Sequence, residues 1–470
     1  MPVPNSVKQL LETQNVCYNI SPPQVDGTLD HLRHEQYLRN AGAVKSLILQ
    51  DEQGKVQVLI PANCLLDLNA VNQQLQRELR AMPNEELRQF FDKHQFQSMP
   101  ALPKLTGLPT LVDQRLLQPE ALLLDAGIAD QLLELKQADF QQILADATIC
   151  DITTPLANLE AANLATQNSD CDAAEMTAAI RNFTHLRVKQ RLEETLELPP
   201  LPVTAQRIIK LRVEPNADIS DLANIVETDP SLAAQVVSWA ASPYYSAPGK
   251  IKSIHDAIVR VLGFDMVLNL ALGLALGKTL NLPKDGPHGV TPYWQIAVCT
   301  AATVEGLVTA IPREHRPAFG MAYLSGLLNN FGYLILAEVF PPYFKTISRY
   351  TEANPHVHTE TIERHILGVT RQHFASWLMD LWGMPQEIVY ALRHQNNPNY
   401  RGEHGEYAQL VFVAQCLLRQ QGIGVGPVID VPEDVYDFLH LDGVQAQATI
   451  TNIMESLDDL NNIAKQLGGA

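Results

Sequence analysis

The sequence predicts a multidomain protein, an N-terminal α+β domain with a mixed sheet and helices followed by an all-α half, and three observations carry that reading. The chain has 470 residues, more than one ordinary hydrophobic core organises. Short runs rich in Val, Ile and Leu, separated by turn signals, are confined to residues 1–152. From residue 183 onward the apolar periodicity is helical, with no alternating strand pattern.

Taken in order, residues 4–15 place Val7, Leu10 and Leu11 at helical spacing, with Asn5 or Ser6 able to cap the first turn. Residues 44–49 and 56–60 read as two strands joined across Asp51-Glu52-Gln53-Gly54, a hairpin turn by its Asp and Gly content. Helices are expected over 68–79 and 84–93, then a proline-bearing loop over 98–109. Strands follow over 110–112, 121–125 and 148–152, with a helix over 136–144. Residues 153–182 are rich in Ala, Asn, Thr, Asp and Gln and poor in large apolar groups, so they read as a linker, partly helical where Leu156, Leu159 and Leu164 share a face.

In the second half, helices are expected over 183–194, 204–211, 219–227, 231–241, 254–262, 264–280, 293–310, 321–340, 356–367, 370–382, 385–393, 406–420, 432–438 and 444–467. Asp218 and Ser220 mark one start, and Asp229-Pro230 another, where proline costs no hydrogen bond. The most apolar of these helices, MAYLSGLLNNFGYLILAEVF from Met321 to Phe340, is expected to be a single core helix with small residues Ala322, Ser325 and Gly326 at close approaches. Asn329-Asn330 sits at its centre, a polar pair that is costly to bury unless its amides find partners.

Composition narrows the function classes. Hydrophobic residues at 46% and charged residues at 18% are ordinary for a globular protein. A formal net charge of −18 argues against a dominant nucleic-acid surface, which needs clustered Lys and Arg, while leaving room for a local basic pocket. Cys17, Cys64, Cys150, Cys171, Cys299 and Cys416 show no C-x-x-C spacing, so neither a disulfide scaffold nor a zinc knuckle is indicated. The apolar run 266–277 falls short of the ~20 residues of a membrane span, and MPVPNSVKQLLETQ lacks a signal-like apolar core, so the expected location is cytoplasmic. Phosphate-binding glycine loops, nucleophile elbows and H-E-x-x-H are absent. Glu360, Glu363, Arg364 and His365 read as a solvated helix face, and His356 and His358 as an exposed turn.

The order of elements over residues 4–152 resembles the YbaK/prolyl-tRNA deacylase-like family. The residues that carry this are Ala43-Val44-Lys45-Ser46-Leu47, Val58-Leu59-Ile60-Pro61 and the ALLLDAG stretch ending at Gly127. The resemblance implies a ligand site at Lys45 and Gly127, with the Lys45 ammonium facing a phosphate or the ester carbonyl of an aminoacyl-tRNA end. The family's glycine-containing loop reads Met99-Pro100-Ala101-Leu102-Pro103 here, and Met99 is expected to crowd a substrate approaching the backbone.

The second half resembles the HDOD domain, a signalling relative of HD-type metal phosphohydrolases, through LPPLP at 198–202, IVETDPSL at 225–232, ASPYY at 241–245, IHDAI at 254–258 and Leu262-Gly263. The resemblance spans 183–400, with 401–470 as a helical extension. An HD phosphohydrolase holds two divalent ions with imidazoles and carboxylates. Carried over onto this chain, those positions fall on Ile296, on Asn329-Asn330 in place of the His-Asp pair, on Arg371, and on His394-Gln395 in place of a His-His pair. At most His394 is in register, so no metal and no cofactor are expected, and His373 and His394 read as structural histidines. Two functions remain open. One is a noncatalytic signalling protein whose HDOD half binds a protein partner or small effector and whose N-terminal half binds a tRNA-like or aminoacyl-like ligand. The other is a trans-editing deacylase regulated by its HDOD half.

Overall fold

The computed structural model describes residues 3–21, 42–128, 132–159, 200–246, 249–284, 286–287 and 290–468. The expected helix at 183–194 and the linker beyond residue 159 lie outside them. The chain divides into two compact units, one of Met1–Gln167, Gly286–Gly289 and Lys345–Ile366, the other of the remaining segments.

The first unit is built on the expected hairpin. After helix α1 (Asn5–Thr13) and strand β1 (Tyr18–Ser21), β2 (Ala43–Asp51) and β3 (Gly54–Pro61) pair antiparallel from Val44↔Pro61 to Asp51↔Gly54. The turn holds because Asp51 Oδ1 accepts the N–H of Gln53 at 2.8 Å and of Gly54 at 3.2 Å. There follow β4 (Cys64–Leu66), α2 (Leu68–Leu75), β5 (Arg80–Ala81), α3 (Asn84–His94), the short α4 (Pro103–Thr106), β6 (Thr110–Asp113), β7 (Ala121–Asp125), β8 (Leu132–Lys136), α5 (Gln137–Ile143), β9 (Thr148–Cys150) and β10 (Thr153–Pro155). Among the described residues the main sheet runs β1-β8-β7-β2-β3-β6-β9, with β5 beside β2, and β4 pairs separately with β10. One face buries Val44, Leu59, Val112, Leu124, Leu133 and Phe140 against Val7 and Leu11 of α1. A smaller cluster gathers Ile48, Met82 and Met99. Strands β1, β4, β5, β8 and β10 are additions to the sequence reading.

Residues 345–366 lie in the helical half by sequence and pack in this first unit. Asn354, fully buried, gives both backbone groups of Leu66 a partner: its Oδ1 accepts from Leu66 N–H at 2.7 Å and its Nδ2 donates to Leu66 C=O at 3.2 Å. Tyr350 O–H donates to Asp67 Oδ1 at 2.7 Å, and His356 Nε2 sits 3.0 Å from Cys64 C=O. His356 is therefore buried rather than on an exposed turn, while His358 is exposed. Glu363, read as solvated, is fully buried too.

The second unit is helical throughout its described residues. It comprises α6 (Val203–Arg212), α7 (Ile219–Glu227), α8 (Pro230–Ala240), α9 (Ile254–Ala257), α10 (Phe264–Gly277), α11 (Tyr293–Ala310), α12 (Phe319–Leu328) and α13 (Phe331–Val339). Next come α14 (Pro341–Ala353) and α15 (Thr359–Leu367), most of whose residues belong to the first unit. Then follow α16 (Arg371–Leu381), α17 (Gln386–His394), α18 (Gly405–Gln420), α19 (Glu433–Phe438), α20 (Gly443–Glu455) and α21 (Leu457–Gly468). The centre is the pair α11 and α12, which touch closely at Gly326, where a Cβ would lie 2.9 Å from Ala301 Cα. The single helix expected over 321–340 is two helices, broken at Asn329-Asn330. Gly332, just past the break, lets α16 begin against the backbone, since a Cβ there would lie 2.1 Å from the Arg371 carbonyl oxygen. Among the described residues no helix is long and apolar enough to cross a membrane.

Candidate functional site

In the first unit the strand register assembles the site expected at Lys45. Val44 of β2 pairs in parallel with Leu124 of β7, and both turn into the core. One residue further on, Lys45 and Asp125 both turn to the opposite face, because side chains alternate along a strand. Asp125 is organised from its own side: Ser98 Oγ hydrogen-bonds its Oδ1, and the Gly127 N–H donates to the same atom at 2.7 Å. Gly127 needs its left-handed φ of +82°, and a Cβ there would meet Pro100 Cγ at 2.9 Å. The two residues expected to bind ligand, Lys45 and Gly127, are thus joined through Asp125, which the sequence reading did not single out.

The electrostatics follow from burial. Desolvation pushes the Lys45 ammonium below the usual lysine range, the negative charge of Asp125 opposing it. Desolvation likewise raises Asp125, opposed by Ser98, by the Gly127 N–H and by Lys45. Among the described residues no hydrogen bond or ion pair holds Lys45, so its three donors have no fixed acceptor there. Gln57 pins the neighbouring loop, donating to Ser46 Oγ at 2.9 Å and to Pro100 C=O at 3.0 Å while accepting from Thr106 Oγ1 at 3.0 Å. Met99 packs its side chain on Ile48 and Met82, so it does not stand over the loop backbone as expected.

In the second unit the positions carried over from the HD site are brought together only in part. Asn329 Nδ2 donates to Thr300 Oγ1 at 3.4 Å, and its backbone carbonyl accepts from Gln395 Nε2 at 2.9 Å. Gln395 Nε2 also reaches Leu392 C=O at 3.1 Å, its Oε1 accepts from Gln415 Nε2 at 2.7 Å, and Gln415 Oε1 accepts from Arg419 Nη2 at 2.7 Å. Arg371 Nη1 donates to Asn330 Oδ1 at 3.4 Å, with its guanidinium 5.4 Å from the Tyr333 ring centre. Ile296 is a buried apolar residue one helical turn before Thr300. His394 is elsewhere, stacked on Tyr400 at 3.7 Å, and burial together with Arg393 pushes it down to about 4. His373 closes a capping box with Thr370 at the start of α16.

These groups do not fit a dinuclear metal centre: amides and a guanidinium stand where imidazoles and carboxylates are needed. Among the described residues, no three His, Cys, Asp or Glu gather to hold an ion. Gln395 stands at the second position of the expected His-His pair, whereas Gln415 and Arg419 were not singled out from the sequence.

An HDOD domain model matches residues 198–398, and an aminoacyl-tRNA editing domain model matches residues 28–143. The crystal structure of a candidate signal transduction protein from Marinobacter aquaeolei VT8 is 43% identical, covers 99% of this chain and 100% of its own, and superposes with a TM-score of 0.87. The chain belongs to the HDOD proteins that carry an N-terminal aminoacyl-tRNA editing domain. This HDOD protein is also similar to an HDOD domain protein of unknown function from Geobacter sulfurreducens, at 19% identity over 62% of this chain and 97% of that one, TM-score 0.48. An uncharacterised protein of Treponema pallidum (strain Nichols) is 20% identical over 270 residues, 57% of this chain and 50% of that protein, so the chain spans about half the length of that relative.

Proposed function

We propose that this HDOD protein is a noncatalytic regulatory protein. Its HDOD unit transmits a signal through a bound protein or small effector, and its editing-type unit holds the aminoacyl end of a tRNA, or an aminoacyl-like ligand, at Lys45. The observation that supports this most is the run of hydrogen bonds from the Asn329 carbonyl through Gln395 and Gln415 to Arg419, amides and a guanidinium where an HD phosphohydrolase needs metal ligands, although Asn329 Oδ1 accepts from no described residue. The full-length similarity to the candidate signal transduction protein agrees with a regulatory role. At Lys45, a desolvated ammonium without a hydrogen-bond partner among the described residues suits phosphate or ester oxygens, because it gains a charge-assisted bond and breaks none of those described.

A second reading, a trans-editing deacylase regulated by the HDOD unit, is favoured by one observation: Met99 packs into the core, which removes the expected obstruction beside the loop. Two aminoacylated acceptor-stem minihelices separate the readings, one with an amide-linked and one with an ester-linked amino acid. The expected result is binding of the amide-linked probe that falls about tenfold or more in Lys45→Met, with no release of amino acid from the ester. Lys45-dependent release would establish the deacylase instead. Binding untouched by Lys45→Met would remove both readings of this site.

A further inference from the structure

The helical unit holds a second site, independent of the Lys45 reading, on the later turns of the helix that carries Ile296. A pocket of about 410 Å³ opens between α11, the turn Pro243–Tyr245 and the joint of α20 with α21, lined by Tyr244, Glu305, Thr309, Thr449, Asn452 and Ser456. That volume lies in the range of small-ligand sites. Its shape has a local cause. Gly306 lets α11 and α20 approach closely, since a Cβ there would meet Thr449 Cγ2 at 2.5 Å, and the pocket opens beside that contact.

The chemistry of the wall is one-sided. Glu305 is held by Tyr245, whose O–H donates to Oε2 at 3.2 Å while its own oxygen accepts from Trp239 Nε1 at 3.3 Å, so the direction of that relay is set. Glu305 Oε1 accepts from no described residue. Thr309 Oγ1 spends its hydrogen on the Glu305 carbonyl at 3.0 Å, and Thr449 Oγ1 spends its own on the Gln445 carbonyl at 3.0 Å. Both hydroxyls are left with only lone pairs for a ligand. Among the described residues no Lys, Arg or His lines the pocket. A carboxylate, two acceptor hydroxyls, the Asn452 amide and the side of the Tyr244 ring therefore face the same space.

We infer that this pocket binds a small organic primary ammonium, an aliphatic amine or diamine. Its head sits on Glu305 Oε1 and the Thr hydroxyls, and its chain lies along the Tyr244 ring. A divalent metal is the weaker fit, because one carboxylate supplies too few oxygen ligands for a hard cation. Burial pushes Glu305 up to about 7, which leaves the empty site close to neutral and gives an arriving cation a charge partner at little cost. Glu305 lies on a helix inside the HDOD match, whereas Thr449, Asn452 and Ser456 lie beyond residue 398, so a bound amine joins the matched domain to its C-terminal helices.

Isothermal titration of the full-length protein with putrescine, with the matching uncharged diol and with magnesium as comparisons, tests this. The expected result is saturable one-to-one binding of putrescine, no binding of the diol, and no competition by magnesium. Glu305→Gln keeps the shape and the acceptor for Tyr245 and should weaken binding about tenfold to a hundredfold. Thr309→Val, on the exposed rim where folding is not at stake, should weaken it about threefold. No saturation by putrescine, equal affinity in both variants, or displacement of putrescine by magnesium would overturn the inference.

Discussion

Replacing Gln395 with Leu tests whether the polar chain at the former metal positions holds the second unit together. Gln395 is 1% exposed and makes three hydrogen bonds through its side chain, to the carbonyls of Asn329 and Leu392 and from Gln415. Leucine fills much of the same volume but offers neither donor nor acceptor. The Asn329 carbonyl at the break between α12 and α13, and the Leu392 carbonyl in the last turn of α17, both lose a donor. Gln415 is half-buried and can turn toward water. Two deprived buried acceptors, at roughly 1 to 3 kcal/mol for a group left fully unsatisfied and less where a second bond remains, give an expected loss of about 2 to 4 kcal/mol. All four tryptophans, Trp239, Trp294, Trp377 and Trp382, lie in the second unit, so urea denaturation followed by tryptophan fluorescence reads that unit. Gln415→Leu takes the donor from Gln395 Oε1 and one acceptor from the half-buried Arg419, and should cost about 1 kcal/mol. Equal midpoints for the wild type and Gln395→Leu would refute the reasoning, since the amide chain would then be idle.

The other expectations are shorter. His394 has a folded pKa of about 4 against 6.5 unfolded, so between those values the unfolded chain binds more protons and stability drops as pH falls through the window. The wild type minus His394→Phe difference should shrink by about 3 kcal/mol from the upper to the lower end; taking the difference removes Glu305, whose raised pKa acts with the opposite sign, and a flat difference would refute it. Asn354→Ala leaves the Leu66 N–H without its 2.7 Å acceptor and should cost the first unit about 1 to 3 kcal/mol. Hydrogen exchange should show faster exchange at Leu66, and unchanged protection there would contradict the pairing. Elemental analysis of purified protein should find no stoichiometric manganese, iron or magnesium, because Ile296, Asn329, Asn330 and Arg371 replace the ligands; two equivalents of metal would contradict this.

Local chemistry made much of the architecture legible. The runs at 44–49 and 56–60 with Asp51 to Gly54 between them form the expected hairpin, and the helical starts at Asp218 and Asp229 cap helices by side-chain acceptance from nearby N–H groups. The helix from Pro341 to Ala353 is an addition to the sequence reading; its two prolines stand in the first turn, where proline lacks only an N–H that is unpaired. Asn329-Asn330 was recognised as a polar pair in an apolar stretch, but its effect, two helices instead of one, depends on Gln395 arriving from far along the chain.

The same division separates the functional features. The loss of the HD ligands could be read directly, since the residue type at Asn329-Asn330 excludes that coordination whatever the packing. Lys45 and Gly127 were likewise visible as residues. What tertiary structure alone decided is their company: the parallel register of Val44 with Leu124 brings Asp125 beside Lys45, and the crossing of α11 with α20 sets Glu305 before two hydroxyls already committed to their own helices. A sequence states which donors and acceptors a chain carries. Which of them remain unspent after folding depends on contacts between residues far apart in the chain, and those leftover groups are what a ligand meets.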